Sequence, residues 1–63
     1  MSNIKNKKIV TQVDGFKLHQ EIPEFDFGII INFEKVDGVW YVDIRDDDGA
    51  SRVSIEELKE IVG

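Results

Sequence analysis

The chain has 63 residues, 8 Lys and Arg against 13 Asp and Glu, one His and no Cys, with a formal net charge of −5. This composition leaves no disulfide staple, no thiolate metal centre and no imidazole-built zinc site, and no apolar run approaches the roughly 20 residues that span a bilayer. A single α+β domain over 1–63 is expected, and because so short a chain buries only about 60% of its unfolded surface, homo-oligomerisation, as a dimer or higher, is expected to supplement the core.

The charge is uneven. Residues 1–13 carry three lysines and no acid, whereas 14–63 carry five basic and thirteen acidic side chains, a net of −8. Residues 1–7 read as a flexible basic arm. MSNIKNKK has no apolar segment of signal-peptide length behind its lysines, so an unprocessed, cytoplasmic chain is expected, with no membrane partner; the bacterial host expected for it follows only from the resemblance described below. Nucleic-acid affinity comes largely from neutralising phosphates with Lys and Arg. An acidic body therefore disfavours a broad DNA-coating surface unless the few cations gather on one face, and it equally permits a basic partner.

In chain order, Val-Asp-Gly occurs twice, at 13–15 and 36–38. Asp-Gly tolerates the positive φ angles of a two-residue type I′ turn. Around Asp14-Gly15, Ile9, Thr11 and Val13 would share a face with Phe16, Leu18 and Gln20; a continuous strand kinked at Gly15 is the competing reading. Pro23 ends that region, because it offers no ladder N–H. Around Asp37-Gly38, Val36 pairs with Val39. Counting outward by twos puts Phe27, Ile29, Ile31 and Phe33 on one apolar face with Trp40, Val42 and Ile44. The other face is mixed, and Ile30, Val36, Val39 and Tyr41 on it are the expected subunit interface.

At the C-terminus, Ser54 followed by Glu57 forms a capping box, with Val53 and Leu58 as its hydrophobic staple. Leu58, Ile61 and Val62 make an apolar stripe, with Ile55 beside it, and Gly63 suits the position after the helix. About eight residues of helix cannot persist alone. The expected architecture is an antiparallel meander of four to five strands, then one C-terminal helix packed on the sheet.

The acid run Asp46–Asp48 is the first candidate site. With Gly49 as the sixth position of a calcium loop, the first and twelfth ligands fall on Ile44 and Ile55, so that motif fails. A looser Mg²⁺ site built from Asp43, Asp46, Asp47 and Asp48 is one reading. An acidic hairpin tip with Asp48-Gly49 as its turn is the other. A serine–histidine enzyme finds no support, since His19 is the only imidazole and Ser54 is a helix cap. The glycines fit no phosphate loop. Lys7, Lys8, Lys17, Arg45 and Arg52 either gather on one concave face, enough for modest single-strand binding, or are scattered solubilising charges.

The C-terminal half, WYVDIRDDDGASRVSIEELKEIV, resembles the positive-cofactor-four family of single-stranded-DNA-binding coactivators. Asp43, Ile44 and Arg45 match an aspartate–apolar–arginine signature of the family's third strand. Val53 to Leu58 match its passage through a Ser/Thr cap into an acidic-start helix. The resemblance implies a curved four-stranded antiparallel sheet, one helix, and dimerisation. It covers about 25 residues, and it departs from the family where Asp47 replaces an aromatic and Ser51 a basic residue, with Arg52 offset by one. Arg45 is the one DNA-contacting residue type that transfers cleanly.

The resulting expectation is a DNA-interacting phage or mobile-element factor that counters a host nuclease of the CRISPR type. It would act on DNA topology by binding, nicking or relaxing, through Lys17, Arg45 and Arg52, with Mg²⁺ near the aspartates. No catalytic residue is assigned. The alternative is an acidic DNA mimic that occupies the basic groove of a nucleic-acid enzyme without chemistry of its own. A purely structural assembly module is the third reading.

Overall fold

A computed structural model describes residues 9–63; the basic arm expected over 1–7 lies outside the described residues. Two short strands, β1 (Gln12–Val13) and β2 (Phe16–Lys17), form a hairpin. β3 (Glu21–Ile22), β4 (Gly28–Val36), β5 (Val39–Asp46) and β6 (Gly49–Ser54) follow as a curled antiparallel sheet in that spatial order, and α1 (Ile55–Val62) packs on it. The expected α+β meander with one terminal helix is what the chain forms.

Both Asp-Gly pairs make the turns their chemistry suits. Asp14 and Gly15 have φ of 50° and 89°, and Asp37 and Gly38 have 52° and 81°. Two consecutive positive φ values match the twist of the flanking strands. They set Val13 opposite Phe16 and Val36 opposite Val39. The third turn differs from expectation. Asp46 pairs with Gly49, so Asp47 and Asp48 are the central residues, not Asp48 and Gly49. The cause is local: Asp46 Oδ1 accepts the Asp48 N–H at 2.9 Å, an aspartate folding back on its own turn.

The main correction concerns β4. From Val36 to Asn32 the register runs as expected, with Phe33 opposite Val42 and Asn32 opposite Asp43. A bulge then falls at Ile31, and Ile30, not Ile31, stands opposite Ile44. One extra residue exchanges the faces of everything before it. Ile30 is fully buried while Ile31 is 42% exposed. Phe27 is exposed and Ile29 half-buried, so the apolar face expected from Phe27 to Ile44 holds for Phe33, Val42 and Ile44, with Trp40 at its margin. Ile30 therefore belongs to the core and cannot serve the subunit interface proposed for it.

Gly28 explains the choice of register. A Cβ there would stand 2.7 Å from Ile44 Cγ2 and 3.0 Å from the Phe25 and Arg45 carbonyl oxygens. Ile44 thus occupies the space above Gly28, and Ile30 fills the next inward position. The core is Phe16, Ile22, Ile30, Phe33, Val42, Ile44, Ile55 and Leu58.

The helix begins at the expected cap, with the serine half of the capping box formed and, among the described residues, no return bond from the Glu57 carboxylate. Ser54 Oγ accepts the Glu57 N–H at 3.1 Å, satisfying one donor of the first turn, and the Gly63 N–H closes on the Lys59 carbonyl. Its buried contacts are Ile55 and Leu58, whereas Ile61 and Val62 are 41% and 38% exposed. The apolar stripe is therefore shorter than expected, because the last turn carries Ile61 and Val62 beyond the core.

Candidate functional site

Alternation along β4 and β5 leaves the sheet face opposite the helix with Ile29, Asn32, Glu34, Val36, Val39, Tyr41, Asp43 and Arg45, and the bulge exposes Ile31 beside them. At its centre lies a closed polar network. Arg52 Nε donates to Asp43 Oδ1 at 2.7 Å and Arg52 Nη2 to Asp43 Oδ2 at 3.1 Å. The same nitrogen reaches Glu34 Oε1, and Asn32 Nδ2 donates to Asp43 Oδ2 at 3.0 Å. The Arg52 guanidinium also lies 5.9 Å from the Tyr41 ring centroid. The hydrogen bonds from Arg52 hold the Asp43 carboxyl below the usual carboxylate range, against the opposing effect of partial burial, with Asn32 adding to the lowering. Asp43 and Glu34 reciprocally raise Arg52.

This network separates the expected site residues. Arg52 is the partner of two carboxylates. Arg45 is exposed on the same face, two positions from Asp43 on β5, and Lys17 is exposed on the separate β1–β2 hairpin. Arg45 and Arg52 thus share one face, where Arg52 is held by two carboxylates, and Lys17 belongs to a different pair of strands. Asp43, Asp46, Asp47 and Asp48 do not converge as ligands. Asp43 is turned into the Arg52 network, and Asp46 is engaged by its own turn. Among the described residues, no group of three His, Cys, Asp or Glu side chains is arranged to hold a metal ion. Of the expected interface residues other than Ile30, Val36 and Val39 are exposed and Tyr41 is half-buried.

The topology instead assembles an acidic end. Glu21 pairs with Ile29, Ile29 with Arg45 and Arg45 with Ala50, so the start of β4, the end of β5 and the start of β6 lie at one edge of the molecule. Glu24 and Asp26, just before β4, and Asp46, Asp47 and Asp48, between β5 and β6, join Glu21 there. None of these six carboxylates is in an ion pair among the described residues. Phe27 stands beside them, 63% exposed, and it and Asp26 have φ of 60° and 54°. Glu21, Glu24 and Asp26 escape a linear reading because they lie some twenty residues from Asp46–Asp48 and meet them only through strand pairing.

At the opposite end, Asp14, Gly38, Val39, Trp40, Ile55 and Glu56 line a cleft of about 180 Å³. No helix is long and apolar enough to cross a membrane among the described residues. No protein-family model, no curated protein and no solved structure matches the chain.

Proposed function

We propose that this protein is an acidic docking module that occupies the basic, nucleic-acid-binding surface of another protein and performs no chemistry of its own. The observation that carries this reading is the convergence of Glu21, Glu24, Asp26, Asp46, Asp47 and Asp48 at one end of the sheet with no ion-pair partner among the described residues. Like charges held close on a folded scaffold repel one another. A partner lined with Lys and Arg relieves that repulsion, and complementary potentials also speed encounter. A nucleic-acid groove is a surface of that sign, because it neutralises phosphates with Lys and Arg. The biological setting proposed with it is a phage or mobile-element factor that blocks a host nuclease, acting as a homo-oligomer through the face of Ile31, Val36, Val39 and Tyr41.

Displacement tests this reading. The immobilised chain is loaded with partner from a nuclease-treated lysate of its host, and duplex DNA is then added. The expected result is release of the partner by DNA and by rising salt, with weaker retention by a variant carrying Asp46→Asn, Asp47→Asn and Asp48→Asn. A partner that stays bound under excess DNA overturns it.

One observation supports a second reading. Arg45 is exposed on the same strand and face as Tyr41, and neither it nor Lys17 is ion-paired among the described residues. A single strand stacking on Tyr41 with its phosphates toward Arg45 would be the DNA-acting protein implied by the positive-cofactor-four resemblance, which the element order of four strands and a helix also supports.

A further inference from the structure

We propose that the cleft at the opposite end binds the guanidinium of a peptide arginine. Its apolar side chains are Trp40, half-buried, and Ile55, buried, with Gly38 and Val39 of the adjacent turn completing the lining. Its rim carries two carboxylates on separate elements, Asp14 from the β1–β2 turn and Glu56 from the first turn of α1. The volume of about 180 Å³ is below that of sites for drug-sized ligands and suits one side-chain head group.

Two of the chain's own cations already stand at the cleft's carboxylates and its aromatic ring. Lys59 Nζ bridges the two rim carboxylates, 3.4 Å from Asp14 Oδ2 and 3.8 Å from Glu56 Oε2. Lys35 Nζ lies 5.9 Å from the Trp40 ring centroid. Both contacts are long, and the Lys59, Asp14 and Glu56 side chains are 45%, 53% and 81% exposed. Pairs of this kind contribute little and are readily displaced. A guanidinium does more at such a site than an ammonium, because its plane stacks on an aromatic face while its fork donates to carboxylates. The positive end of the α1 dipole opposes a cation here. Ser54 Oγ caps that end, and Glu56 and Glu57 answer its charge.

This site is independent of the acidic end. Trp40 is the only tryptophan, so its emission reports on the cleft alone. The probes are N-acetyl-arginine amide and N-acetyl-citrulline amide as the neutral isostere. The expected result is a saturable change in Trp40 emission with the arginine amide and no saturable change with citrulline amide.

Two variants give the result a direction. Lys59→Gln removes the competitor for the two rim carboxylates and should tighten the arginine amide about two- to fivefold, while Glu56→Gln should loosen it by a similar factor. Asp14→Asn, which keeps the residue's tolerance for positive φ, should loosen it as well. Equal responses to the arginine and citrulline amides would overturn the proposal. So would unaltered emission in both the native chain and Lys59→Gln. The displacement of a captured partner by DNA turns on the other end of the molecule, so either reading can fail alone.

Discussion

Arg52 grips Asp43 from the neighbouring strand with two nitrogens, Nε to Oδ1 at 2.7 Å and Nη2 to Oδ2 at 3.1 Å. A fork against a carboxylate is geometrically specific, and here it fixes the centre of the exposed sheet face. The lowered pKa of Asp43 follows from these bonds, and its sign sets a pH dependence. A carboxyl whose folded pKa lies below its unfolded value contributes stability that is fully present above the unfolded value, about 3.9, and lost as pH falls through the folded one. Carbon-detected NMR titration should therefore place the Asp43 midpoint below that of a free aspartate. In Arg52→Gln the midpoint should rise. An unchanged midpoint would mean that the pair is not formed in solution.

The bulge at Ile31 makes two adjacent isoleucines unequal. Ile30 is fully buried and Ile31 is 42% exposed. Truncating a buried isoleucine to alanine costs about 2–5 kcal/mol, whereas an exposed apolar substitution changes stability by about 0.5 kcal/mol or less. Denaturant unfolding should show Ile30→Ala largely unfolded or severely destabilised and Ile31→Ala close to the native chain. The reverse order would place the register one residue away.

Gly28 is needed for space, not for unusual backbone angles. A methyl there meets Ile44 Cγ2 at 2.7 Å and two carbonyl oxygens at 3.0 Å, and the carbonyls belong to backbone that cannot step aside. Gly28→Ala should cost about 1–3 kcal/mol, the usual range for overpacking. Its unfolding midpoint in urea is the measurement. A neutral result would mean that β4 and β5 separate more easily than their pairing implies.

Ser54 supplies the cap of a helix too short to form by itself. Ser54→Ala should destabilise by about 1 kcal/mol, and Ser54→Asp should restore most of it, since either oxygen can accept the Glu57 N–H. Thermal unfolding followed at a helical wavelength distinguishes the two variants.

These residues also show what a linear reading can and cannot recover. The Asp-Gly turns and the Ser54 cap are legible because their causes are local, a tolerance for positive φ in one case and a hydroxyl three residues from an amide in the other. The face of β5 is legible because Tyr41, Asp43 and Arg45 alternate with Trp40, Val42 and Ile44. The start of β4 is not. Ile29, Ile30 and Ile31 are equally apolar, so nothing in their pattern says which faces inward, and a steric fit between Gly28 and Ile44 decides it. Arg52 illustrates the same limit for function. As an isolated residue it is a cation for phosphates; folded, it sits between Asp43 and Glu34, residues 9 and 18 positions away.

The central claim, that the surface is directed at a basic protein and not at nucleic acid, is tested most directly by titrating the intact protein against supercoiled plasmid with Mg²⁺ and against a labelled single-stranded oligonucleotide at low salt. Unaltered plasmid topology and an oligonucleotide that keeps its mobility at every protein concentration are the predicted results. Nicking or relaxation of the plasmid, or a mobility shift of the oligonucleotide that Arg45→Gln abolishes, would contradict it.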